Sequence, residues 1–239
     1  MQVPRVVVAG AAGRMGRAAV RTIARRDDML LVGALGHTSA LGQDAGTVAG
    51  AGAIGVPGLP QAHPDRYALA VLDTALGSGM SSRLFQEIRE QRGLAYAISS
   101  YHAAYRDAGA FVVYAGTSPA ASGEVVRLAL DGLARVRDGL SADEVARAKE
   151  SLKGNLMLGL ETPGSRMTKL ARSEQYFGRQ ITLDEIIADV DAVRGDHVRR
   201  LAETLFVPDR LAFSAIGPFD QEPALIATIE REVNARAGA

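Results

Sequence analysis

The side chains that most often hold a catalytic metal ion are few and scattered in this sequence. The chain has 239 residues and no Cys, which removes thiolate zinc sites, disulfides and cysteine nucleophiles together. No two of the four histidines lie four residues apart, and none has a neighbouring Glu in the order of a zinc-protease motif. They are His37, His63, His102 and His197. We therefore predict that this chain has no metal site, and no general-base Glu of the kind that accompanies one.

A glycine-rich turn near the N-terminus is the second pattern that could do chemistry. Gly10, Gly13 and Gly16 follow a short apolar run and open a helical pattern, which is the context of a dinucleotide-binding turn. There the backbone approaches a pyrophosphate and the helix N-terminus holds the anion, while Arg14 and Arg17 would add charge suited to a 2′-phosphate. The same glycines would also serve simple close packing. Spacing alone does not separate these alternatives, and the strand–helix–strand context favours a nucleotide origin.

Composition excludes several partners. Lys+Arg and Asp+Glu both number 27, so the formal net charge is +0, and nothing electrostatic favours a nucleic acid or an anionic membrane. No stretch is apolar enough to span a bilayer, and the N-terminus has no secretory pattern. The absence of Cys fits a reducing compartment, so we expect a cytoplasmic protein.

The periodicity divides the chain into two parts. Residues 5–35 predict one strand–helix–strand unit. Residues 36–60 contain seven glycines and few large apolar residues, which indicates loop and linker. We therefore place a domain boundary here, with a partial dinucleotide-binding fragment at residues 1–52 and a second domain at residues 53–239.

The second part predicts helices that segregate between a few antiparallel strands, which is typical of an α+β fold. A helix begins at Pro64, and a second runs from Ser81 or Ser82 to a left-handed cap at Gly93. A hairpin follows at 94–105 and 110–116. The remaining predicted elements are helices at 122–139, 141–160 with a Ser141–Glu144 capping box, 164–178, 183–190 and 195–205 with Asp196 as candidate cap, a strand at 210–216, and a closing helix at 223–235.

Residues 5–56 resemble the N-terminus of dihydrodipicolinate reductase. The matching strings are Val-Val-Val-Ala-Gly-Ala-Ala-Gly-Arg-Met-Gly-Arg, Leu-Val-Gly-Ala-Leu and Leu-Gly-Gln-Asp-Ala-Gly. The resemblance implies a Rossmann-like βαβ fragment with NAD(P)H contacts at Gly10, Gly13, Arg14 and Gly16. Gly36 and His37 replace the acidic ribose-binding residue, and the family's later catalytic motif is absent. A single βαβ unit cannot complete a cofactor crevice, so we expect poor NADPH binding.

Residues 54–219 resemble the second half of the insulinase/pitrilysin zinc metallopeptidases, in the processing-peptidase-like branch. The matching strings include His-Pro-Asp-Arg-Tyr-Ala-Leu, Ser-Gly-Met-Ser-Ser-Arg-Leu-Phe, Arg-Glu-Gln-Arg-Gly-Leu-Ala-Tyr, Lys-Gly-Asn-Leu and Gln-Tyr-Phe-Gly. The family's first half carries the inverted zinc motif, and its second half supplies an Arg and a Tyr, seven residues apart, that reach the substrate. Arg89 and Tyr96 occupy those positions here, and the resemblance implies that both donate to a peptide carbonyl or its oxyanion.

These resemblances together predict a noncatalytic half of a zinc metallopeptidase that helps to bind an extended peptide. Zinc is expected only on a partner half, and the chain is expected to pair with that half or with itself. Two alternatives stay open: a nicotinamide-dependent reductase fragment, and a fusion product with no retained activity. NADPH binding would favour the first.

Overall fold

A computed structural model describes residues 5–9, 30–35, 50–207 and 210–216, together with positions 227 and 231. Two short strands open it, β1 (Arg5–Ala9) and β2 (Leu30–Leu35), and they pair in parallel. Parallel pairing is what the predicted strand–helix–strand unit requires. The helix predicted between these strands lies outside the described residues, as does the predicted closing helix at 223–235 apart from the two isolated positions.

Among the described residues, the main sheet has four strands, all antiparallel, in the order β4-β5-β3-β6. They are β3 (Gly50–Gly58), β4 (Ala95–Ala104), β5 (Gly109–Thr117) and β6 (Ala212–Ile216). The predicted hairpin is confirmed, and its turn closes where the Tyr105 amide donates to the Ala108 carbonyl at 2.8 Å. Strand β4 lies at an edge of this sheet, and that edge carries one of the predicted site residues.

The prediction that residues 36–60 form only loop and linker is wrong for residues 50–58. These residues form β3, which lies inside the sheet between β5 and β6. Ile54 and Val56 are buried in the core, and the small residues admit close neighbours: a Cβ added to Gly58 would lie 2.9 Å from the Ala110 carbonyl carbon. Because glycine usually weakens a strand, the glycine-rich sequence of residues 50–58 does not predict one. This strand is recognised only from its pairing with β5 and β6. The boundary between residues 52 and 53 remains a prediction.

Helices cover this sheet and confirm the α+β class. They are α1 (Arg66–Leu76), a π-helix (Phe85–Gln91), a short 3-10 turn (Pro119–Ala121), α2 (Ser122–Arg137), α3 (Ala142–Gly159), α4 (Pro163–Phe177), α5 (Leu183–Asp191) and α6 (Gly195–Leu205). The capping box that opens α3 is confirmed: Ser141 Oγ accepts from the Glu144 amide at 3.2 Å, and Glu144 Oε2 accepts from the Ser141 amide at 2.8 Å.

The prediction that Asp196 caps the helix at 195–205 is wrong. Helix α6 begins at Gly195, and its N-cap is Arg194, which makes no side-chain capping bond. Asp196 therefore lies inside the first turn, and its Oδ1 accepts from Arg194 Nε at 3.1 Å. The helix starts two residues earlier than a cap at Asp196 requires, which moves the carboxylate past the position from which it would cap.

The core lies between the main sheet, α1, α2 and α6. Phe111 of β5 meets Phe206 edge to face, with ring centroids 5.3 Å apart. Leu84, which precedes the π-helix, packs directly against Gly132 of α2, where an added Cβ would lie 2.6 Å from Leu84 Cδ2. Leu84 and Ile88 are both buried. This packing fixes the π-helix against α2 and so sets where its exposed residues point.

Candidate substrate-contact site

The π-helix and the turn after it position the two residues that the sequence predicts as substrate contacts. The Leu94 amide donates to the Ile88 carbonyl at 3.0 Å and the Gly93 amide to the Arg89 carbonyl at 3.1 Å, which closes the helix. Gly93 has φ of 63°, a left-handed conformation that favours glycine. The predicted Gly93 cap is confirmed. Arg89 thus lies before this turn and Tyr96 after it.

Arg89 is half exposed at the end of the π-helix. Its guanidinium carbon lies 4.8 Å from the centroid of the Phe85 ring, and its Nε lies 4.0 Å from Glu90 Oε1, which is a long separation for an ion pair. A planar guanidinium has five N–H donors, and these two contacts leave room for a ligand. Glu87 on the same helix is engaged elsewhere, by Arg135 and Arg92.

Tyr96 is the extra residue of a β-bulge at the start of β4. Ala95 pairs with Thr117 and Ala97 with Gly116, so Tyr96 has no partner in the register. A bulge redirects a side chain, and the Tyr96 side chain is 60% exposed. Its ring lies over Gly116, where any Cβ would overlap it. The Tyr96 ring therefore packs against the backbone of β5 at Gly116.

Tyr114 lies beside Tyr96 and was not predicted from the sequence. Burial raises the pKa of Tyr114, and the charge and hydrogen bond of the neighbouring Tyr96 raise it further. Two phenols in contact form a donor–acceptor pair, so the Tyr114 hydroxyl helps to hold the Tyr96 hydroxyl. Tyr114 and Gly116 lie two residues apart on β5 and therefore face the same side of the sheet. The sequence reveals that they support Tyr96 only once the pairing of β4 with β5 is known.

The loop between α1 and the π-helix is tied to β4 through Asp73. Ser100 Oγ donates to Asp73 Oδ1 at 2.5 Å, and the Gly77 and Ser78 amides both donate to the Asp73 carbonyl, at 3.0 and 2.9 Å. Gly77 has no space for a side chain, because an added Cβ would lie 2.5 Å from the Ser100 amide nitrogen. Burial raises the pKa of Asp73 to about 6, and the hydrogen bond from Ser100 lowers it in part.

The other end of this loop is tied to the start of α3. Arg83 Nε donates to Glu144 Oε1 at 2.6 Å and Arg83 Nη2 to Glu144 Oε2 at 2.8 Å. The Arg83 hydrogen bond is the main reason that the pKa of Glu144 falls to about 2. A bidentate pair of this kind fixes orientation, so the Ser-Ser-Arg-Leu-Phe segment is anchored at both ends.

The described residues do not fit a zinc site. Across those residues, no group of three or more His, Cys, Asp or Glu side chains is placed to hold a metal ion. His102 Nε2 lies 2.9 Å from the Leu59 carbonyl oxygen, and burial lowers its pKa. His63 Nδ1 accepts from the Asp65 amide at 3.1 Å. These two histidines serve local structure, whereas His37 lies outside the described residues.

The predicted nucleotide contacts Gly10, Gly13, Arg14 and Gly16 all lie outside the described residues.

Among the helices that the structure describes, none combines the length and the apolar composition that a membrane span requires.

Comparison with known proteins assigns both parts of the chain. Residues 48–152 match the family described as the peptidase M16 inactive domain, and residues 4–65 match the N-terminus of dihydrodipicolinate reductase. An uncharacterized zinc protease of Streptomyces coelicolor is 42% identical over 172 residues, which is 72% of this chain and 37% of that protein. The uncharacterized zinc protease YmxG of Bacillus subtilis is 40% identical over 172 residues, 72% of this chain and 42% of that protein.

A solved structure shows the same fold. The crystal structure of a peptidase M16 inactive domain from Pseudomonas fluorescens superimposes with a TM-score of 0.65 at 21% identity, over 72% of this chain and 42% of that chain. The present chain thus spans about two fifths of the length of the curated relatives that it matches.

Fold and matches define a noncatalytic-type domain of a metallopeptidase. The chain belongs to the peptidase M16 family through its inactive, C-terminal-type domain, and its N-terminal segment is similar to dihydrodipicolinate reductase. Both resemblances predicted from the sequence are confirmed.

Proposed function

We propose that this chain is the noncatalytic, substrate-binding half of a zinc metallopeptidase, which contributes to peptide hydrolysis only when a zinc-bearing partner half is present. The observation that carries the proposal is the placement of Arg89 and Tyr96. Both side chains are exposed, on either side of the Gly93 turn, and packing and hydrogen bonds fix the elements that bear them. The relatives named as zinc proteases support the same function.

The chemistry proposed for this chain is donation of hydrogen bonds. Zinc held on the partner half would polarise the scissile carbonyl and activate water. The Arg89 guanidinium and the Tyr96 hydroxyl would donate to that carbonyl, or to the oxyanion formed when it is attacked. Preorganised donors aimed at a developing negative charge stabilise the transition state more than the ground state. The support of Tyr96 by Tyr114 and Gly116 provides such preorganisation.

Reconstitution with a zinc-bearing partner tests the proposal. The part of the Streptomyces coelicolor relative outside the matched 172 residues is expressed separately, loaded with zinc and mixed with this chain. We expect chelator-sensitive cleavage of an unstructured peptide by the mixture and by neither component alone. Arg89→Ala or Tyr96→Phe should then lower turnover by about ten- to a thousandfold.

Matched controls separate this role from a general effect on folding. Arg179 is an exposed arginine that pairs with Glu185 and not with a residue of the Arg89–Tyr96 site, and Tyr176 is a tyrosine of α4. Arg179→Ala and Tyr176→Phe should leave turnover unchanged. Equal turnover in the wild type and in both site variants would contradict the proposed roles of Arg89 and Tyr96. A mixture without activity would contradict the partner-half function itself.

A reductase fragment is the second candidate function, because residues 4–65 match a reductase N-terminus and β1 pairs in parallel with β2. Titration of the whole chain with NADPH, followed by fluorescence, tests it. Saturable binding that Gly13→Asp abolishes would favour the reductase fragment. Absence of binding would mean that the N-terminal segment has no cofactor function. This result is the one that the alternative of a fusion with no retained activity predicts.

A further inference from the structure

The end of α3 and the first half of α4 form a helical arm that the rest of the described domain leaves largely uncovered. We define the arm as residues 152–170, and none of its residues is buried. The buried residues of α3, Val145 and Ala148, belong to its first two turns. In α4 the single buried residue is Ser173, which lies beyond the arm. Helices in water-soluble domains normally owe their stability to an apolar face packed on the core, and in the arm such packing is limited to Leu152, which is partly buried against the core.

The arm nevertheless carries large apolar side chains. Met157, Leu158, Met167 and Leu170 are 53, 64, 67 and 53% exposed, and they make up four of the six large hydrophobic side chains that are exposed among the described residues. Met167 and Leu170 lie three residues apart and so share one face of α4. Single exposed apolar residues are ordinary, whereas a group on one projecting element is typical of an interaction surface.

The arm is built as a fixed structure and not as a frayed end. Thr162 caps α4, with its Oγ1 accepting from the Ser165 amide at 3.1 Å, and Arg166 Nε donates to the Leu160 carbonyl at 2.6 Å across the helix connection. Lys153 Nζ donates to Asp191 Oδ1 of α5 at 2.9 Å, and Lys169 Nζ donates to the Ile181 carbonyl. A surface ordered before binding loses less conformational entropy when a partner docks.

We propose that the apolar face of the arm is the docking surface for the zinc-bearing partner half, and this inference rests on the proposed function. The choice of docking partner is based on chain length. In the two curated relatives, more than half of the chain lies outside the segment matched here. In those two proteins the additional polypeptide belongs to the same chain as a segment similar to this one. The occupant must offer an apolar surface of its own, and the two methionines suit an adaptable contact with it.

Binding between the separated parts tests the docking surface. The whole chain is titrated into the zinc-loaded portion of the Streptomyces coelicolor relative described above, and the dissociation constant is measured by isothermal titration calorimetry. The arm variant is Met167→Glu with Leu170→Glu. The control is Ala142→Glu with Ala146→Glu, which adds the same charge to exposed positions in the first half of α3. Circular dichroism melting checks that both variants fold.

We expect the arm variant to bind more than about tenfold more weakly than the wild type, and the control variant to bind as the wild type does. Unchanged binding by the arm variant would overturn this inference while leaving the proposed function intact. Absence of any complex with the wild-type chain would overturn both. A dimer of the chain alone that the arm substitutions dissociate, seen by sedimentation equilibrium, would assign the surface to a second copy and overturn the choice of occupant.

Discussion

At the scale of single residues, Asp73 combines a titratable carboxyl group that contacts β4 with a backbone carbonyl that holds the loop after α1. Its side chain accepts from Ser100 on β4, and its backbone carbonyl accepts from the first two amides after α1. Burial outweighs the stabilising hydrogen bond, so the pKa of Asp73 rises from 3.8 to about 6. The folded protein therefore binds a proton here more tightly than the unfolded chain does.

The pH dependence follows from the sign of that difference. A carboxyl group whose pKa rises on folding stabilises the fold fully below the unfolded value of 3.8, and this contribution is lost as pH rises through about 6. Relative to Asp73→Asn, the free energy of unfolding of the wild type should fall by about 2 kcal/mol between roughly pH 4.5 and 7.5. Urea denaturation of both proteins across this range measures the difference. A difference that stays constant would show that Asp73 ionises as freely in the fold as in the unfolded chain.

Gly116 offers a way to move Tyr96 without replacing it. An added Cβ at Gly116 overlaps the Tyr96 ring, and this ring is exposed enough to swing away, so Gly116→Ala should cost less than about 1 kcal/mol of stability. In the reconstituted peptidase described above, the same substitution should lower turnover nearly as much as Tyr96→Ala. Gly123→Ala is the control, because nothing lies within 4 Å of its added Cβ. Full turnover by Gly116→Ala would mean that the supported position of the phenol is irrelevant.

At the scale of elements, the sequence predicts features that depend on neighbours along the chain. The Ser141–Glu144 capping box and the Gly93 turn are confirmed because their hydrogen bonds and dihedral angles are local. The sequence shows the spacing of Arg89 and Tyr96, but it does not show which residues support Tyr96. Tyr114 and Gly116 reach it only through the register of β4 on β5. The sequence predicts a loop in place of strand β3 for the same reason, since the two neighbouring strands are distant in sequence.

The link between the loop before the π-helix and α3 should make a measurable contribution to stability. Arg83 and Glu144 form a bidentate, partly buried pair, for which a double-mutant cycle with Arg83→Gln and Glu144→Gln should give a coupling free energy of roughly 1 kcal/mol after solvent screening. The pKa of Glu144 falls from 4.5 to about 2, so its contribution is present above pH 4.5 and lost as pH falls toward 2. Thermal unfolding of the four proteins measures the coupling, and strictly additive effects would contradict it.

At the scale of the whole molecule, two family matches meet within one strand. The reductase match ends at residue 65 and the peptidase match begins at residue 48, and β3 lies inside this overlap. Its pairing with β5 runs from Gly50 to Gly58, so the peptidase-type sheet uses residues that precede the predicted boundary. Composition indicated where the two parts meet, but only the pairing of strands reveals that the junction is structured.

The metal content of the isolated chain is a whole-molecule prediction. Because the described residues form no metal-binding cluster and the sequence has no zinc motif, the purified chain should hold far less than one zinc per molecule and should cleave no peptide. Elemental analysis after dialysis, with a fluorogenic peptide assay, measures both quantities. Stoichiometric zinc, with cleavage that a chelator stops, would contradict this prediction and the assignment of catalysis to a partner.

The π-helix and the bulge have a joint consequence for the spacing of Arg89 and Tyr96. A π-turn holds one more residue than an α-turn, and a bulge holds one more residue than a regular ladder. One such insertion lies on each side of Gly93. The seven-residue spacing of Arg89 and Tyr96 therefore depends on both backbone insertions. Deleting one amino acid on either side of Gly93 would rotate one of the two donors away, although every remaining side chain would be unchanged.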